Sequence, residues 1–599
     1  MATEFKNLVE ILEHSVEKFA DEPLFGTKKD GQYRWSTYRQ FGEMVDNFRG
    51  ALHTMGVEPG SGDTIAVIAN NRVEWAVGAY AVYSLGAKYC PMYEAQLAKD
   101  WNYILTDSGA KIVLVANQEI YDQVKPFIDE IDTLERVIYF DGPADHEDAF
   151  QTLLDHGAAN PVDRYHPDPE ELCGFIYTSG TTGNPKGVLL SHGNIASNIN
   201  GIQSLLDIGP SDVSLSFLPW AHSFGQTVEL HGLFSMGASM GIAENVTTII
   251  ENLSEVRPTL LFSVPRIFNR IYDGVHKKME EAGGLSKFLF FKGLANAEQL
   301  RKETEGGGRP GGMTQFMNNF YDKLVFSKVR DRFGGRLRYA FSGGAALSPE
   351  VAQFIDNLNI TVYEGYGLTE TSPIATCNYP GNRRIGSVGK PLPGVEIEIR
   401  DVEGYPEGTG EICVRGPNIM QGYHNLPEKT AEVLDDDGTF HTGDLGRVDE
   451  DGFLWILGRV KEQYKLENGK YVVPGPIEEQ LKLSPYINQV MIEGTNKPYN
   501  GALIVVDLEN LEPWAKRNGV PADELLTHSK VQKLYEEEIA RVGATLKGYE
   551  RPKKFALIDE EWTPENDMLT PTLKLKRRIV MEKYGDLVES IFNGDSAAA

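Results

Sequence analysis

The sequence predicts an α/β protein built on large, mostly parallel sheets, with a smaller α+β region after them. Three observations carry this. Short apolar runs of strand length recur through the first 360 residues. Amphipathic helical patterns alternate with several of them, the rhythm of strand–helix–strand crossovers. From about residue 400 closely spaced turn signals take over.

The elements follow in order. Leu8, Ile11, Leu12, Val16 and Phe19 fall on one face of a helix over 7–19. Residues 64–68 (TIAVI) read as a buried strand, and apolar runs at 111–115, 174–177, 213–218, 259–262, 337–341 and 360–363 read likewise. A helix over 265–281 carries Ile267, Phe268, Ile271, Tyr272 and Val275 as its stripe. Another opens at Ser348, an expected N-cap, with Pro349 in its first turn. Residues 305–312 (EGGGRPGG) read as a surface loop. The run 285–291 (LSKFLFF) reads either as the packed face of a helix or as a membrane-surface patch. Asp437-Gly438 and Asp451-Gly452 mark hairpin turns; neither acidic run has the twelve-residue spacing of a calcium loop. After Gly458 come a strand, a helix over 477–483, strands at 489–492 and 502–506, and long helical patterns. The boundary between a large domain, 1–460, and a small one, 461–599, is expected near Lys461.

Composition narrows the function classes. The 599 residues are 41% hydrophobic and 24% charged, a globular profile. Gly and Pro together make up about 15% of the chain, below the roughly 25–30% of low-complexity sequences. A disordered scaffold, a collagen and a disulfide-stapled secreted domain are excluded. The 58 Lys and Arg against 86 Asp and Glu give a net charge of −28. That argues against nucleic acid as a partner. It leaves room for an anionic small ligand in a local cradle of amides and cations. Cys90, Cys173, Cys377 and Cys413 are widely spaced, without a CxxC, as expected of thiols in a reducing compartment. Glu4, Glu10 and Glu13 interrupt the apolar pattern a secretory leader needs, and no run of about 18 apolar residues is present. A cytoplasmic protein is expected, with peripheral membrane contact as a second option.

The most informative segment is Tyr177-Thr178-Ser179-Gly180-Thr181-Thr182-Gly183-Asn184-Pro185-Lys186-Gly187, directly after a buried strand. Glycines let the backbone curl so that its N–H groups converge on one anion; hydroxyls add donors and Lys186 adds a charge. Such a loop grips a polyphosphate. A P-loop NTPase fails on motif order, because it needs Gly-Lys followed by Ser or Thr. Further along, residues 364–372 (EGYGLTETS) place an aromatic ring, a hydroxyl and a carboxylate in one tight loop. Thr442-Gly443-Asp444 precedes Arg459 by fifteen residues, and a basic run, 569–578 (LTPTLKLKRR), lies near the C-terminus.

On these motifs and their order the sequence resembles the adenylate-forming superfamily of acyl-CoA synthetases, adenylation domains and beetle luciferases. The likeness extends over residues 8–585. It is strongest to long-chain fatty acyl-CoA synthetases, through residues 264–268 (VPRIF), 465–474 (KLENGKYVVP) and the Thr-Pro-Thr-Leu-Lys ending. The resemblance implies a small β-barrel-like region in the large domain and a mobile C-terminal domain hinged at Lys461. It implies ATP, Mg2+ and coenzyme A as cofactor and co-substrates, with a fatty acid as the substrate. Residues Thr178 to Gly183 and Lys186 would hold pyrophosphate. Tyr366 would lie against adenine, Thr369 would touch the α-phosphate, and Glu370 would hold Mg2+, for which a carboxylate is the suitable hard donor. Asp444 and Arg459 would take the ribose, whose vicinal diol suits a two-oxygen carboxylate. Gly344 and Ala345 would line adenine and acyl group, and His222 the acid pocket. Gly469 would pass the pantetheine arm. Lys574 would be the catalytic lysine; the family form reads Ser-Gly-Lys where this chain has Thr572-Leu573-Lys574, so Lys576 stays in competition. A carrier-protein acyl-AMP ligase and an aryl or short-chain CoA ligase remain alternatives. A non-catalytic acyl-binding protein would be expected to lack Lys186, Glu370 or Lys574.

Overall fold

A computed structural model describes residues 3–178, 184–304, 308–403, 405–570 and 573–593. The chain forms two compact units. The first comprises Met1–Thr178, Pro185–Ile397 and Val414–Phe440; the second is made chiefly of Glu398–Cys413 and His441–Ala599.

The first unit is built on two sheets. One has seven strands, in the order 422–423, 186–191, 172–178, 88–92, 64–68, 110–115 and 136–139. From 172–178 onward its strands run parallel. Thr64–Ile68 is buried at all five positions, as a parallel strand covered on both faces must be. The other sheet has nine strands, in the order 390–391, 374–377, 361–367, 339–342, 260–263, 213–216, 239–242, 23–29 and 32–37. Its middle is parallel and its edges antiparallel.

The helices match their sequence patterns closely. Leu8–Lys18 buries Leu8, Ile11 and Leu12, and Asn7 caps it by accepting from the Glu10 N–H. Pro265–Ala282 buries Phe268 and Ile271. Ser348 is a correction: the helix Pro349–Asn357 starts where expected, with proline in its first turn, but the Ser348 hydroxyl makes no cap hydrogen bond. Proline fixes the entry geometry there, so the helix forms without the hydroxyl.

The second unit holds a four-stranded sheet, 396–401, 410–415, 440–448 and 454–459, where a barrel-like region was expected. Asp451-Gly452 turns its last hairpin, with the Asp449 carboxylate accepting from the N–H groups of Asp451 and Phe453. A three-stranded sheet follows, 487–493, 501–506 and 554–558, flanked by helices Pro474–Leu481, Leu508–Arg517, Ser529–Val542 and Arg577–Asn593. Its core joins Met491, Leu503, Val505 and Trp562 to Met568 and Leu569, the start of the C-terminal motif. Among the described residues no helix is long and apolar enough to cross a membrane.

Candidate functional site

In the first unit, the strands Leu172–Thr178 and Lys186–Ser191 form a hairpin with Thr178 opposite Lys186. Ser179, Gly180, Thr181, Thr182 and Gly183 lie outside the described residues. The short strand Gly422–Tyr423 pairs beside Val188 and Leu189 and so brings Tyr423 next to this hairpin. The Lys186 ammonium lies 4.7 Å from the centroid of the Tyr423 ring. The Tyr423 hydroxyl donates to Glu370 Oε1 at 2.9 Å. One phenol thus holds a cation at its face and a carboxylate at its hydroxyl. Among the described residues Lys186 makes no ion pair, and the second Glu370 oxygen accepts no hydrogen bond. Both charges keep capacity for a ligand: the ammonium for phosphate oxygens, the carboxylate for a hard cation.

Glu370 sits in a single helical turn, Thr369–Thr371, that is held from several sides. The Glu370 carbonyl accepts from the Met420 N–H at 2.9 Å. Asn198 donates to the Ile374 carbonyl and accepts from the Ile374 N–H. Asn418 donates to the Thr371 carbonyl at 3.0 Å. Asn194 donates to the carbonyls of Pro417 and Ile419. Asn194 and Asn198 are four residues apart on the helix His192–Leu205, so one helix face fixes both segments around the carboxylate. These asparagines were missed in sequence, where they read as ordinary residues of a helix.

The loop at 219–222 is anchored by Trp220, which is fully buried between Phe25 and Trp75. Asn71 fixes its backbone, accepting from the Trp220 N–H and donating to the Leu218 carbonyl. His222 Nδ1 accepts from the Phe224 N–H at 3.2 Å, which leaves the ring proton on Nε2. Ser223 and Thr369 share a hydrogen bond of 3.3 Å between hydroxyls. Gly343 packs against the Phe224 ring so closely that a Cβ there would lie 3.2 Å from it. The neighbouring Gly344, at φ +81°, and Ala345 are exposed. They leave the end of the strand Tyr339–Ser342, which pairs in parallel with the strand Thr361–Gly367 that carries Tyr366. His222, Gly344, Tyr366 and Thr369 therefore cluster around the carboxyl ends of adjacent parallel strands, where ligands of α/β sheets bind.

In the second unit, Asp444 lies opposite Arg459 in the strand pair, and Arg459 Nε reaches Asp444 Oδ1 at 2.8 Å. The Thr442 hydroxyl accepts from the Asp444 N–H and donates to the Ile412 carbonyl. Gly443 takes φ +70°, which glycine adopts without strain. Its N–H donates to Glu411 Oε1 at 3.0 Å. Glu411 Oε2 lies 3.1 Å from His441 Nδ1, and His441 Nε2 lies 2.7 Å from Arg400 Nη1. A guanidinium can only donate, so Nε2 accepts and Nδ1 carries the proton toward Glu411. Cys413 Sγ is 3.7 Å from the same Nδ1. Glu411, Cys413 and His441 have the spacing of a metal trio, yet a protonated Nδ1 has no lone pair for a metal. The trio is a hydrogen-bond chain that braces the Thr442–Asp444 turn.

Gly469 closes the turn between Tyr464–Lys465 and Tyr471–Val472 at φ +81°, in an exposed stretch with only Lys465 Cε within 4 Å of an added Cβ. Lys574 is exposed, and its N–H donates to Thr570 Oγ1. Lys576 is paired with Asp567 at 2.5 Å.

The fold and these clusters define an adenylate-forming architecture. Residues 12–424 match the AMP-binding enzyme family and residues 461–595 match the AMP-binding enzyme C-terminal domain. The chain belongs to the AMP-binding enzyme family. It is 32% identical to the peroxisomal long chain acyl-CoA synthetase 7 of Arabidopsis thaliana, over 97% of this chain and 85% of that one. It is 30% identical to the long-chain-fatty-acid–CoA ligase 1 of Homo sapiens, over 98% and 86%. Among solved structures it resembles the adenylation domain of a Mycobacterium chelonae carboxylate reductase, with a TM-score of 0.78 at 23% identity, over 98% of this chain and 91% of that one. It also resembles a Mycobacterium tuberculosis fatty acyl CoA synthetase, with a TM-score of 0.62 at 22% identity, over 97% and 99%.

Proposed function

We propose that the protein is a long-chain fatty acid–CoA ligase that forms AMP. A fatty carboxylate attacks the α-phosphorus of ATP in line and expels pyrophosphate. The thiol of coenzyme A then attacks the acyl-adenylate carbonyl, loses its proton and expels AMP. Neither half needs a covalent enzyme intermediate. The protein's work is positioning and neutralising charge.

The observation that carries this is the pairing of Lys186 and Glu370 across Tyr423, a cation and a carboxylate with open valences on one scaffold. Lys186 and the loop before it hold the pyrophosphate oxygens. Glu370 would hold Mg2+, which when bound offsets polyphosphate charge. Thr369 orients the α-phosphate, and Tyr366, Gly344 and Ala345 form the adenine and acyl walls. His222 lines the acid pocket. Asp444 and Arg459 take the ribose hydroxyls. Lys574 bridges the acid's carboxylate and the α-phosphate, with Lys576, whose ammonium pairs with Asp567, as the alternative. Residues 461–599 turn about Lys461 between the half-reactions, and Gly469 passes the pantetheine arm in the second. Such rearrangements often limit turnover.

The protein acts in the cytoplasm and meets membranes peripherally, where long-chain acids reside. Burial pushes the Cys90 and Cys377 thiols up to about 12, which keeps them unreactive. The test is AMP release from ATP with acids from butyrate to palmitate and with benzoate, with and without coenzyme A. Coenzyme A-dependent turnover that peaks at long chains is expected. Adenylation indifferent to coenzyme A would instead indicate a carrier-protein ligase, and silence with every acid would remove the enzymatic reading.

A further inference from the structure

Among the described residues, thirteen large hydrophobic side chains stay exposed, and six of them lie between residues 285 and 324. They are Leu285, Phe288, Met313, Phe316, Phe320 and Leu324, and they include every exposed phenylalanine. The helices Gly284–Thr304 and Gly312–Tyr321 that carry most of them pack side by side. Gly293 lies against Tyr321 and Phe326, and Asn296 donates to the Thr314 carbonyl. On the second helix and its continuation, Met313, Phe316, Phe320 and Leu324 follow helical spacing and are 74, 65, 44 and 39% exposed. Thr314, Asn318 and Phe326 are buried on the other side. Met317 and Tyr321 are half-buried on that inner side as well, so the helix is apolar on both faces, and its outward face departs from the polar one of an ordinary surface helix.

Charge identifies what covers it. Residues 310–321 hold no charged side chain, while Arg309 precedes them and Lys323 and Lys328 follow, all exposed. Residues 284–336 carry ten Lys and Arg against five Asp and Glu, in a chain whose net charge is −28. An apolar stripe with a basic rim is the pattern of an element lying in a membrane interface. A second copy of the chain would set the same basic rim against itself.

We propose that this face docks on an anionic phospholipid bilayer, with Met313, Phe316, Phe320 and Leu324 inserted and Lys323 and Lys328 at the headgroups. The acidic remainder of the molecule is repelled by the same surface, so the contact is also oriented. The purpose of the docking, delivery of a membrane-dissolved acid, rests on the ligase reading; the contact itself does not.

Flotation of the full-length protein with vesicles tests it, using phosphatidylcholine alone and phosphatidylcholine mixed with phosphatidylglycerol. The wild type floats with the mixed vesicles, and added salt weakens this. Phe316→Ser with Phe320→Ser lowers the bound fraction about ten-fold, and Lys323→Glu with Lys328→Glu removes the preference for phosphatidylglycerol. Both variants keep wild-type AMP release with an acid dissolved in water. Wild type that does not float, or variants that float equally well, overturn the proposal. So does a wild-type dimer in sedimentation that Phe316→Ser with Phe320→Ser dissociates, because the face is then a self-interface. A wild type that floats but releases no AMP with any acid would count against the ligase reading alone.

Discussion

The Tyr423 hydroxyl donates to Glu370 Oε1 at 2.9 Å, and the same ring carries the Lys186 ammonium 4.7 Å from its centroid. Tyr423 lies 53 residues beyond Glu370 and 237 beyond Lys186 in the chain. It is the physical link between two motifs that carry opposite charges.

Tyr423→Phe keeps the ring over Lys186 and removes only the hydrogen bond to a charged group. It is expected to lower kcat/KM for adenylation about tenfold, with part of the loss recovered at high Mg2+. Glu370→Gln is expected to cost about 10²–10³-fold, with no such recovery. Pyrophosphate release at a series of Mg2+ concentrations separates the two; equal loss in both variants would deny Tyr423 its supporting role.

Two lysines compete for the catalytic role. The Lys576 ammonium pairs with Asp567, and Lys574 is an exposed residue whose N–H donates to Thr570 Oγ1. Lys574→Ala should reduce acyl-adenylate formation about 10²–10³-fold and spare thioester formation from supplied acyl-AMP. Lys576→Ala, which breaks a partly exposed ion pair, should change either step less than about tenfold. Single-turnover assays of each half-reaction decide this, and equal loss of both steps in Lys574→Ala would contradict its assigned role.

Glu411 braces Gly443 from below and is itself aligned by His441. Glu411→Ala leaves the Gly443 N–H without its acceptor, beside the carboxylate assigned to ribose. The expected result is an ATP KM raised about tenfold with little change in kcat. A fall in kcat at constant KM would show that the chain serves something other than nucleotide binding.

At Gly469 a side chain has room, with only Lys465 Cε within 4 Å of an added Cβ. The cost to the fold of Gly469→Leu is the left-handed backbone, about 1 kcal/mol. Adenylation should therefore survive while thioester formation slows. Unchanged rates in both steps would remove Gly469 from the path of coenzyme A.

Glu229 accepts from the hydroxyls of Ser214 and Ser216 at 2.6 and 2.8 Å, yet burial pushes its carboxyl up to about 8. Folded protein holds this proton up to about pH 8, whereas the unfolded chain releases it from about pH 4.5. Stability from this group is thus complete below pH 4.5 and is lost as the pH rises toward 8. Burial pushes His192 and His231 down to about 3, so below about pH 6.5 their contribution falls in the opposite direction. Denaturation midpoints for wild type and Glu229→Gln from pH 5 to 8 isolate the carboxyl: the variant should lack the decline that Glu229 adds.

Some of this was legible in the chain alone. Residues 64–68 read as a strand buried on both faces and the stripe of Phe268 and Ile271 as a helix face turned to a core, and the fold bears out both. The loop at 177–187, the Glu370 loop and the Thr442–Asp444 turn could be found because close chemical spacing is local and survives in a linear text. The tertiary structure decided what distance along the chain conceals. Tyr423 joins Lys186 to Glu370, Asn194 and Asn198 hold two loops from one helix, and Glu411 and His441 brace a turn thirty residues apart. Each depends on strands and helices meeting across the fold, which no local pattern encodes. Exposure is of the same kind. The apolar residues 313, 316, 320 and 324 have the periodicity of a core-facing stripe, and only the packing of Thr314, Asn318 and Phe326 beneath them turns that stripe outward.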